Sequence, residues 1–136
     1  METPAGAKTP VHILIVDDEP ALLKMMSAYL KRCGYAVTTC DHTEQAAALV
    51  PDRIQDFSIA VLDATMEGIP MEKLARDMLR AHAGLRLLAA SGYPVDMRAL
   101  EAAARERVAF LHKPFTPEML ASAVRRMLGP EKEKGV

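Results

Sequence analysis

Five polar residues stand at or just beyond the ends of short apolar segments: Asp17, Asp18, Asp63, Ser91 and Lys113. An acid at the end of an apolar segment needs a reason, because a charge beside buried side chains is costly unless it is paired. The carboxyl ends of parallel strands meet at one edge of an α/β sheet, and such sheets bind ligands there. If the apolar segments are parallel strands, the five residues share one site.

The three carboxylates predict a divalent cation. Two unit charges about 4 Å apart repel by roughly 4 kcal/mol at an effective dielectric near 20, and a bound cation relieves that cost. Oxygen ligands without a companion histidine or cysteine favour Mg²⁺ or Mn²⁺ over zinc. Because Mg²⁺ in proteins commonly also binds a phosphate oxygen, the site predicts a phosphate, with a positive charge from Lys113 and a hydroxyl donor from Ser91.

Either Ser91 or a carboxylate could accept a phosphoryl group at such a site. Ser91 has no candidate base beside it, whereas a carboxylate is ionised at neutral pH and can form an acyl phosphate. In a sheet ordered 2-1-3-4-5 the third strand is central, which places Asp63 between the strand-one acids and the side of Ser91 and Lys113. Asp63 is therefore the predicted acceptor, and Asp18 is predicted to hold the metal.

Strand-like and helix-like segments alternate five times along the chain. The strands are predicted over 11–16, 35–40, 58–63, 85–90 and 108–111. The first two helices are predicted over about 20–33 and 44–50, and the third from Pro70 onward. The fourth is predicted over 96–107, with Leu100, Ala103 and Ala104 on its inner face. The fifth is predicted to begin after an N-cap at Thr116 and to end at 129–130. Strict alternation with short apolar strands indicates an α/β fold, in which a parallel sheet carries helices on both faces.

Size and charge exclude several classes of function. The 136 residues are 50% hydrophobic, and 17 basic against 18 acidic residues give a formal charge of −1. That charge gives no electrostatic reason to bind nucleic acid or an anionic membrane. No apolar run approaches the roughly 18 residues of a membrane span and no signal peptide is present, so we expect a cytoplasmic protein. We expect a flexible leader over 1–10, one folded domain over 11–129 and a frayed tail over 130–136.

Four segments in this order resemble the receiver domains of response regulators in two-component signalling, the CheY-like family: IVDDE at 15–19, VLDATM at 61–66, SGY at 91–93 and FLHKPF at 110–115. Each segment alone is weakly specific, but the ordered set is highly specific and covers nearly the whole chain. The resemblance implies a flavodoxin-like (βα)5 fold with strand order 2-1-3-4-5. It also implies a phosphoacceptor signalling protein rather than an enzyme, with only self-catalysed phosphotransfer and slow autodephosphorylation.

The resemblance assigns a role to each site residue. Asp63 would take a phosphoryl group from the phosphohistidine of a histidine kinase, Asp18 and Asp63 would bind Mg²⁺ directly, and Asp17 would act mainly through water. The Thr65 carbonyl would be a further metal ligand, and Ser91 and Lys113 would contact the phosphoryl oxygens. Ser91 and Phe110 would form the switch. Thr65 and Tyr93 would tune the lifetime of the phosphoryl group on Asp63. Bulk at Tyr93 would hinder the attacking water. Phe110 as a packing aromatic without a switching role remains an alternative, and the Lys113-Pro114 bond is expected to be cis.

The loop after Asp63 departs from the family pattern. Receiver domains commonly have proline four residues past the acceptor and glycine eight past it, whereas this chain has Glu67 and Met71. Gly68 and Pro70 stand nearby, so we expect a different path into the third helix. Glu67 adds a negative charge that either disfavours the phosphoryl group or points to solvent.

The implied partners are proteins. A sensor histidine kinase or a histidine phosphotransfer protein would act upstream and a protein target downstream, and the resemblance allows a homodimer through the face of helix four, strand five and helix five. The chain would be a stand-alone receiver or one excised from a hybrid histidine kinase. Two alternatives stay open: a degenerate receiver that binds partners without phosphorylation, and a phosphohydrolase of the haloacid dehalogenase type with an aspartyl nucleophile.

Overall fold

The structure is a computed structural model that describes residues 10–134. The five strands of the described chain are β1 His12–Val16, β2 Ala36–Cys40, β3 Ile59–Asp63, β4 Arg86–Ser91 and β5 Val108–His112. Its α-helices are α1 Pro20–Arg32, α2 Thr43–Ala47, α3 Met71–Ala81, α4 Arg98–Ala104 and α5 Pro117–Lys134. Two 3₁₀ turns, Ile54–Asp56 and Arg105–Arg107, lead into β3 and β5. No helix in residues 10–134 is long and apolar enough to cross a membrane.

The strands form one parallel sheet in the order β2-β1-β3-β4-β5, as the sequence predicts. Val16 of β1 pairs with Leu62 of β3, so the residues that follow β1 reach the sheet edge beside Asp63. Asp63 pairs with Ala90 of β4, one residue before Ser91. Ser91 in turn pairs with His112 of β5, so the register brings the ends of these four strands to one edge.

Helices cover both faces of the sheet, which confirms the predicted α/β architecture. On one face α1 and α5 contribute buried side chains such as Leu30 and Val124 to one core cluster. On the other face α2, α3 and α4 form a second cluster that includes Met78 and Leu100. Every residue of β3 is buried, because helices lie above and below the central strand.

Local signals account for several helix ends. Pro20 occupies the first turn of α1, where its missing N–H costs nothing. The helix ends before Gly34, whose φ of 101° is a conformation that other residues rarely adopt. The Thr116 hydroxyl accepts a hydrogen bond from the Met119 N–H at 3.1 Å, which confirms Thr116 as the N-cap of α5.

Two helices are shorter than predicted. Helix α2 ends at Ala47, because the chain turns early to bury Ile54 and Phe57 below the sheet. Helix α4 spans only Arg98–Ala104, because residues 96–97 precede it and the last three residues of the predicted helix form a 3₁₀ turn. Leu100 and Ala104 of the predicted inner stripe are buried, but Ala103 is exposed, so this part of the prediction is wrong.

The C-terminal helix is interrupted at Gly129, which has φ 83° and ψ 163°. The interruption falls where a stop was predicted at 129–130. Beyond Gly129 the backbone is again helical as far as Lys134, within the stretch 130–136 for which the sequence predicts a frayed tail. The leader residues 1–9 and the tail residues 135–136 lie outside the described residues.

Candidate functional site

Three acids meet at the carboxyl edge of the sheet. One carboxylate oxygen from each of Asp17, Asp18 and Asp63 lies within 4.8 Å of the other two. Asp17 is 2% exposed and Asp63 is 5% exposed, whereas Asp18 is open to solvent. Asp17 and Asp18 reach this place because they follow β1, whose neighbour β3 ends at Asp63. Two of the three charges are therefore held out of water beside an accessible third.

The Lys113 ammonium lies among the carboxylates. Its Nζ donates to Asp17 Oδ2 at 3.0 Å and to Glu19 Oε1 at 3.2 Å, and it lies 3.4 Å from Asp63 Oδ2. Lys113 follows β5, and its peptide bond to Pro114 is cis, as predicted. Burial opposes the charge on Lys113, but the hydrogen bond to Asp17 and the charges of Asp17 and Asp63 outweigh burial and raise its pKa. The lysine therefore stays protonated at neutral pH.

The charge on Asp17 is costly to maintain. Burial raises the pKa of Asp17 above its usual value, and hydrogen bonds from the Glu19 N–H and from Lys113 offset burial only in part. A carboxylate whose charge is disfavoured by burial is stabilised by a nearby cation. A cation bound beside Asp17 would therefore stabilise its charged form further than Lys113 alone does.

Thr65 holds one oxygen of the central carboxylate. The Thr65 backbone N–H and its Oγ1 donate to Asp63 Oδ1 at 2.9 and 2.8 Å. These two hydrogen bonds occupy Oδ1, whereas Oδ2 faces Lys113. The two oxygens of Asp63 therefore have different surroundings, and the loop after β3 is attached to the carboxylate that it follows.

Ser91 is fully buried at the end of β4, on the strand next to Asp63. Its Oγ accepts a hydrogen bond from the Tyr93 N–H at 3.0 Å, which leaves the hydroxyl hydrogen for a further partner. The Tyr93 side chain is 71% exposed. It lines a groove of about 760 Å³ beside Lys113, together with apolar residues of α1 such as Leu22 and Met25.

Phe110 lies on β5, the edge strand of the sheet, and is 38% exposed. Its ring centroid is 6.3 Å from that of His112. The side chain is therefore placed on the outer surface of the edge strand, near the end of β5 that leads to Lys113. This position is compatible both with a switching role and with that of an edge aromatic that does not switch.

The loop between β3 and α3 is held by a residue that the sequence did not single out. The Thr43 Oγ1 at the start of α2 accepts a hydrogen bond from the Ile69 N–H at 2.9 Å and lies 3.3 Å from the Glu67 carbonyl oxygen. The Glu67 side chain is exposed, as one of the two predicted alternatives has it. Thr43 and Gly68, the middle residue of the contacted stretch, are 25 residues apart in sequence, so no local sequence pattern predicts these contacts.

Glu19 is a second residue at the site whose contact was not predicted. The sequence places it only as the last residue of the IVDDE segment at 15–19, but its carboxylate shares the Lys113 ammonium with Asp17. Its position directly after an acidic pair is the signal that could have placed it at the site.

The donor set suits a hard divalent cation. Three carboxylate oxygens lie within reach of one ion, and Asp18 is accessible to solvent. Mg²⁺ prefers oxygen ligands and keeps several waters, so a site that is open on one side fits it. The raised pKa of Asp17 indicates that added positive charge would be stabilising.

The comparisons with known proteins agree with this geometry. The model of the family described as "Response regulator receiver domain" matches residues 13–125. The transcriptional regulatory protein FixJ of Azorhizobium caulinodans is 32% identical over 126 residues, which cover 93% of this chain and 58% of FixJ. The sensor kinase CckA of Brucella abortus is 28% identical over 116 residues, which cover 85% of this chain and 12% of the kinase. The chain thus spans 58% or less of either relative.

The likeness extends to solved structures. The CheY-like receiver domain protein of Methanospirillum hungatei JF-1 superposes with a TM-score of 0.78 at 20% identity, covering 93% of this chain and 98% of the other. At that identity the superposition shows the fold, and the family match carries the assignment. Because the match over residues 13–125 takes in most of the chain, the protein belongs to the response regulator receiver domain family.

Proposed function

We propose that this receiver domain accepts a phosphoryl group on Asp63 and uses it as a signalling switch. The observation that carries the proposal is the position of the Asp63 carboxylate, which lies within 4.8 Å of the strand-one acids and 3.4 Å from the Lys113 ammonium. A nucleophile that adjoins both a cation site and a fixed positive charge suits phosphoryl transfer, which depends mainly on positioning and charge neutralisation.

The transfer forms an acyl phosphate. An oxygen of Asp63 bonds to phosphorus while the phosphorus–nitrogen bond of a phosphohistidine breaks, and the imidazole leaves with the electron pair. Oδ2 is the better nucleophile, since Oδ1 already accepts two hydrogen bonds from Thr65. Lys113, 3.4 Å from Oδ2, is placed to pair with a phosphoryl oxygen.

Mg²⁺ or Mn²⁺ would be held by the carboxylates of Asp17, Asp18 and Asp63 and by the Thr65 carbonyl, and would neutralise charge on the phosphoryl oxygens. Asp18 is exposed, which supports direct binding of the ion by its carboxylate. Both oxygens of Asp17 already accept hydrogen bonds, from the Glu19 N–H and from Lys113, which supports a role mainly through water. The domain itself is a signalling protein whose chemistry is limited to its own phosphorylation and slow dephosphorylation.

The switch would involve Ser91 and Phe110. The Ser91 hydroxyl has a hydrogen to donate to a phosphoryl oxygen, and Phe110 lies outward on the edge strand, from which it can turn inward. Such a change acts as a population shift toward the state that the phosphoryl group stabilises. Tyr93, with its ring over the groove beside Lys113, would hinder the water that attacks the phosphoaspartate, and Thr65 would tune the same step.

The partners would be proteins. The groove between α1 and the segment after Lys113 exposes apolar side chains beside Lys113, which lies 3.4 Å from Asp63 Oδ2, and this supports docking of a histidine kinase or a histidine phosphotransfer protein. Among the relatives, FixJ is named a transcriptional regulator and CckA a sensor kinase, so a receiver of this kind serves either a downstream target or a relay. The face of α4, β5 and α5, where Phe110 is exposed, would contact the target or a second copy.

The decisive experiment is phosphorylation by a small donor. The protein is incubated with acetyl phosphate and Mg²⁺, and intact mass spectrometry follows the addition of one phosphoryl group. We expect the adduct in the wild type and in Asp52→Asn, an exposed acid away from the site, and none in Asp63→Asn. No adduct with acetyl phosphate or with a phosphorylated histidine donor would overturn the proposal and favour the degenerate receiver.

A further inference from the structure

The loop that follows Asp63 is fastened at both ends. At its start, Thr65 donates two hydrogen bonds to Asp63 Oδ1. At its end, the Ile69 N–H donates to Thr43 Oγ1 at 2.9 Å. Thr43 is the first residue of α2, which precedes β3 in the chain. Only Met66, Glu67 and Gly68 lie between the two fastenings, so the path of the loop depends on both.

The second fastening is buried and tightly fitted. Thr43 is 2% exposed, although it is polar, and its hydroxyl also lies 3.3 Å from the Glu67 carbonyl oxygen. Gly68 has a φ of 100°, and a Cβ built on it would lie 2.3 Å from Thr43 Oγ1. The loop therefore lies directly against this hydroxyl, and only glycine at position 68 lets it approach so closely.

The distinctive part of the loop is the part that Thr43 holds. Glu67 stands where receiver domains commonly have proline, whose fixed φ would restrict the loop without outside help. The Thr43 hydroxyl accepts from the Ile69 N–H, and its one hydrogen lies within reach of the Glu44 carboxylate at 3.2 Å and of the Glu67 carbonyl at 3.3 Å. The hydrogen bond from Ile69 restrains the same stretch through the backbone. The side chains of Met66 and Ile69 pack against the neighbouring core cluster, so the loop lies on the protein rather than in solvent.

We propose that Thr43 is a positioning residue for the metal site: its hydroxyl fixes the 64–70 loop so that the Thr65 carbonyl stays in reach of the ion held by the three acids. The proposal deepens the proposed function, because it concerns the same site. Partners that orient a metal ligand without touching the metal commonly change metal affinity by about 10- to 100-fold when they are lost. Thr43 acts through several bonds, so the expected loss is at the lower end, about tenfold.

The test compares Thr43→Val, which keeps the shape and removes the hydroxyl, with Thr43→Ser, which keeps the hydroxyl. Calorimetric titration with Mg²⁺ alone measures affinity without any phosphoryl donor, and hydrogen exchange of the Ile69 amide reports the fastening. We expect Mg²⁺ binding about tenfold weaker in Thr43→Val, with faster exchange at Ile69, and near wild type in both readouts in Thr43→Ser.

The outcomes separate this inference from the proposed function. Unchanged Mg²⁺ affinity in Thr43→Val, or an equal loss in Thr43→Ser, would overturn the positioning role even if the wild type is phosphorylated. A wild type that binds Mg²⁺ but never forms the adduct would fail the proposed function and leave the Thr43 test intact. If Thr43→Val does not fold, Gly68→Ala displaces the loop with the hydroxyl present, and an unchanged Mg²⁺ affinity in that variant overturns the proposal.

Discussion

Lys113 carries a large share of the charge balance at the acidic edge. Its side chain is 14% exposed, and its two buried partners, Asp17 and Asp63, are 3% and 2% exposed at the side chain. When one partner of a buried ion pair is removed, the remaining charge is left in a poor solvent, which is more costly than the pair itself was favourable. The carboxylates of this protein should therefore depend on the lysine when no metal is bound.

Replacement of Lys113 by Met should lower the free energy of unfolding by about 3 kcal/mol in EDTA, because two buried carboxylates lose their cation. Added Mg²⁺ should restore more stability to the variant than it adds to the wild type. Urea unfolding in EDTA and in Mg²⁺ measures both effects. Lys31→Met, at an exposed position on α1, should change neither, and an equal response of the two variants would contradict the role given to Lys113.

His12 makes the stability dependent on pH at the opposite end of the sheet. Its Nε2 lies 2.7 Å from Thr38 Oγ1, and its ring centroid is 4.6 Å from that of Phe57. Burial lowers the pKa of His12 from 6.5, and Asp56 opposes burial only in part. The unfolded chain therefore binds this proton more readily than the folded chain does.

The direction in which stability changes with pH follows from that difference in pKa. The contribution of His12 to stability is fully present above about pH 6.5 and is lost as the pH falls through the lower folded-state pKa. His12→Gln should flatten the fall in unfolding free energy between neutral pH and pH 5.5, because glutamine does not titrate. Denaturant titrations across that range test this, with His112→Gln, an exposed histidine, as the control. A slope that His12→Gln leaves unchanged would rule the explanation out.

At the scale of elements, Arg107 ties three segments together. From the 3₁₀ turn before β5 its guanidinium donates to the Leu85 carbonyl at 2.9 Å and to the Leu79 carbonyl at 3.1 Å, and also to the carbonyl of His82. Leu79 lies in the last turn of α3, whose terminal carbonyls have no partner within the helix. One side chain thus caps α3 and fixes the start of β4.

Arg107→Met should lower the free energy of unfolding by about 2 to 3 kcal/mol, since it leaves carbonyls at the end of α3 without a charged donor. Arg107→Lys should recover less than half of that loss, because one ammonium lacks the planar fork that reaches three carbonyls. The control is Arg105→Met, an exposed neighbour in the same turn, with an expected change within about 0.5 kcal/mol. A fully stable Arg107→Met protein would show that the cap is dispensable.

Arg107 also shows why the element boundaries were only partly predictable. The Ala-rich pattern over 96–107 favours a continuous helix, but the chain leaves α4 at Ala104 and forms a 3₁₀ turn that places Arg107 against the end of α3. A contact between residues 107 and 79 is invisible to local periodicity. The ends of α1 at Pro20 and Gly34 were predictable, because they depend on backbone preferences of the residues themselves.

The same distinction separates what was and was not predictable about the site. The meeting of Asp17, Asp18 and Asp63 follows from strand ends in a parallel sheet, which the apolar segments and the alternation of elements predict. The contact of Thr43 with the 64–70 loop joins α2 to the segment after β3, and neither segment alone contains a signal for it. A hydrogen bond from one hydroxyl to a residue far away in the sequence can be identified only in the folded structure.

At the scale of the whole molecule, folding itself brings together the acids of the proposed metal site. The three acids come from the ends of β1 and β3, about 45 residues apart in sequence, and meet only when the sheet is formed. A cation that binds the folded chain alone stabilises it by about 2.7 kcal/mol at a concentration one hundred times its dissociation constant. Mg²⁺ should therefore raise the thermal unfolding temperature, whereas NaCl of equal ionic strength should not.

Asp17→Asn should affect stability in opposite directions without and with Mg²⁺. Burial raises the pKa of Asp17, so in EDTA the neutral asparagine should leave the protein as stable as the wild type or more stable. In Mg²⁺ the same variant should gain much less than the wild type, because one acid of the cluster is gone. Thermal unfolding of both proteins in EDTA and in Mg²⁺ measures the difference, with Asp52→Asn expected to follow the wild type. If Asp17→Asn gained as much from Mg²⁺ as the wild type does, the acid cluster would not be where the cation binds.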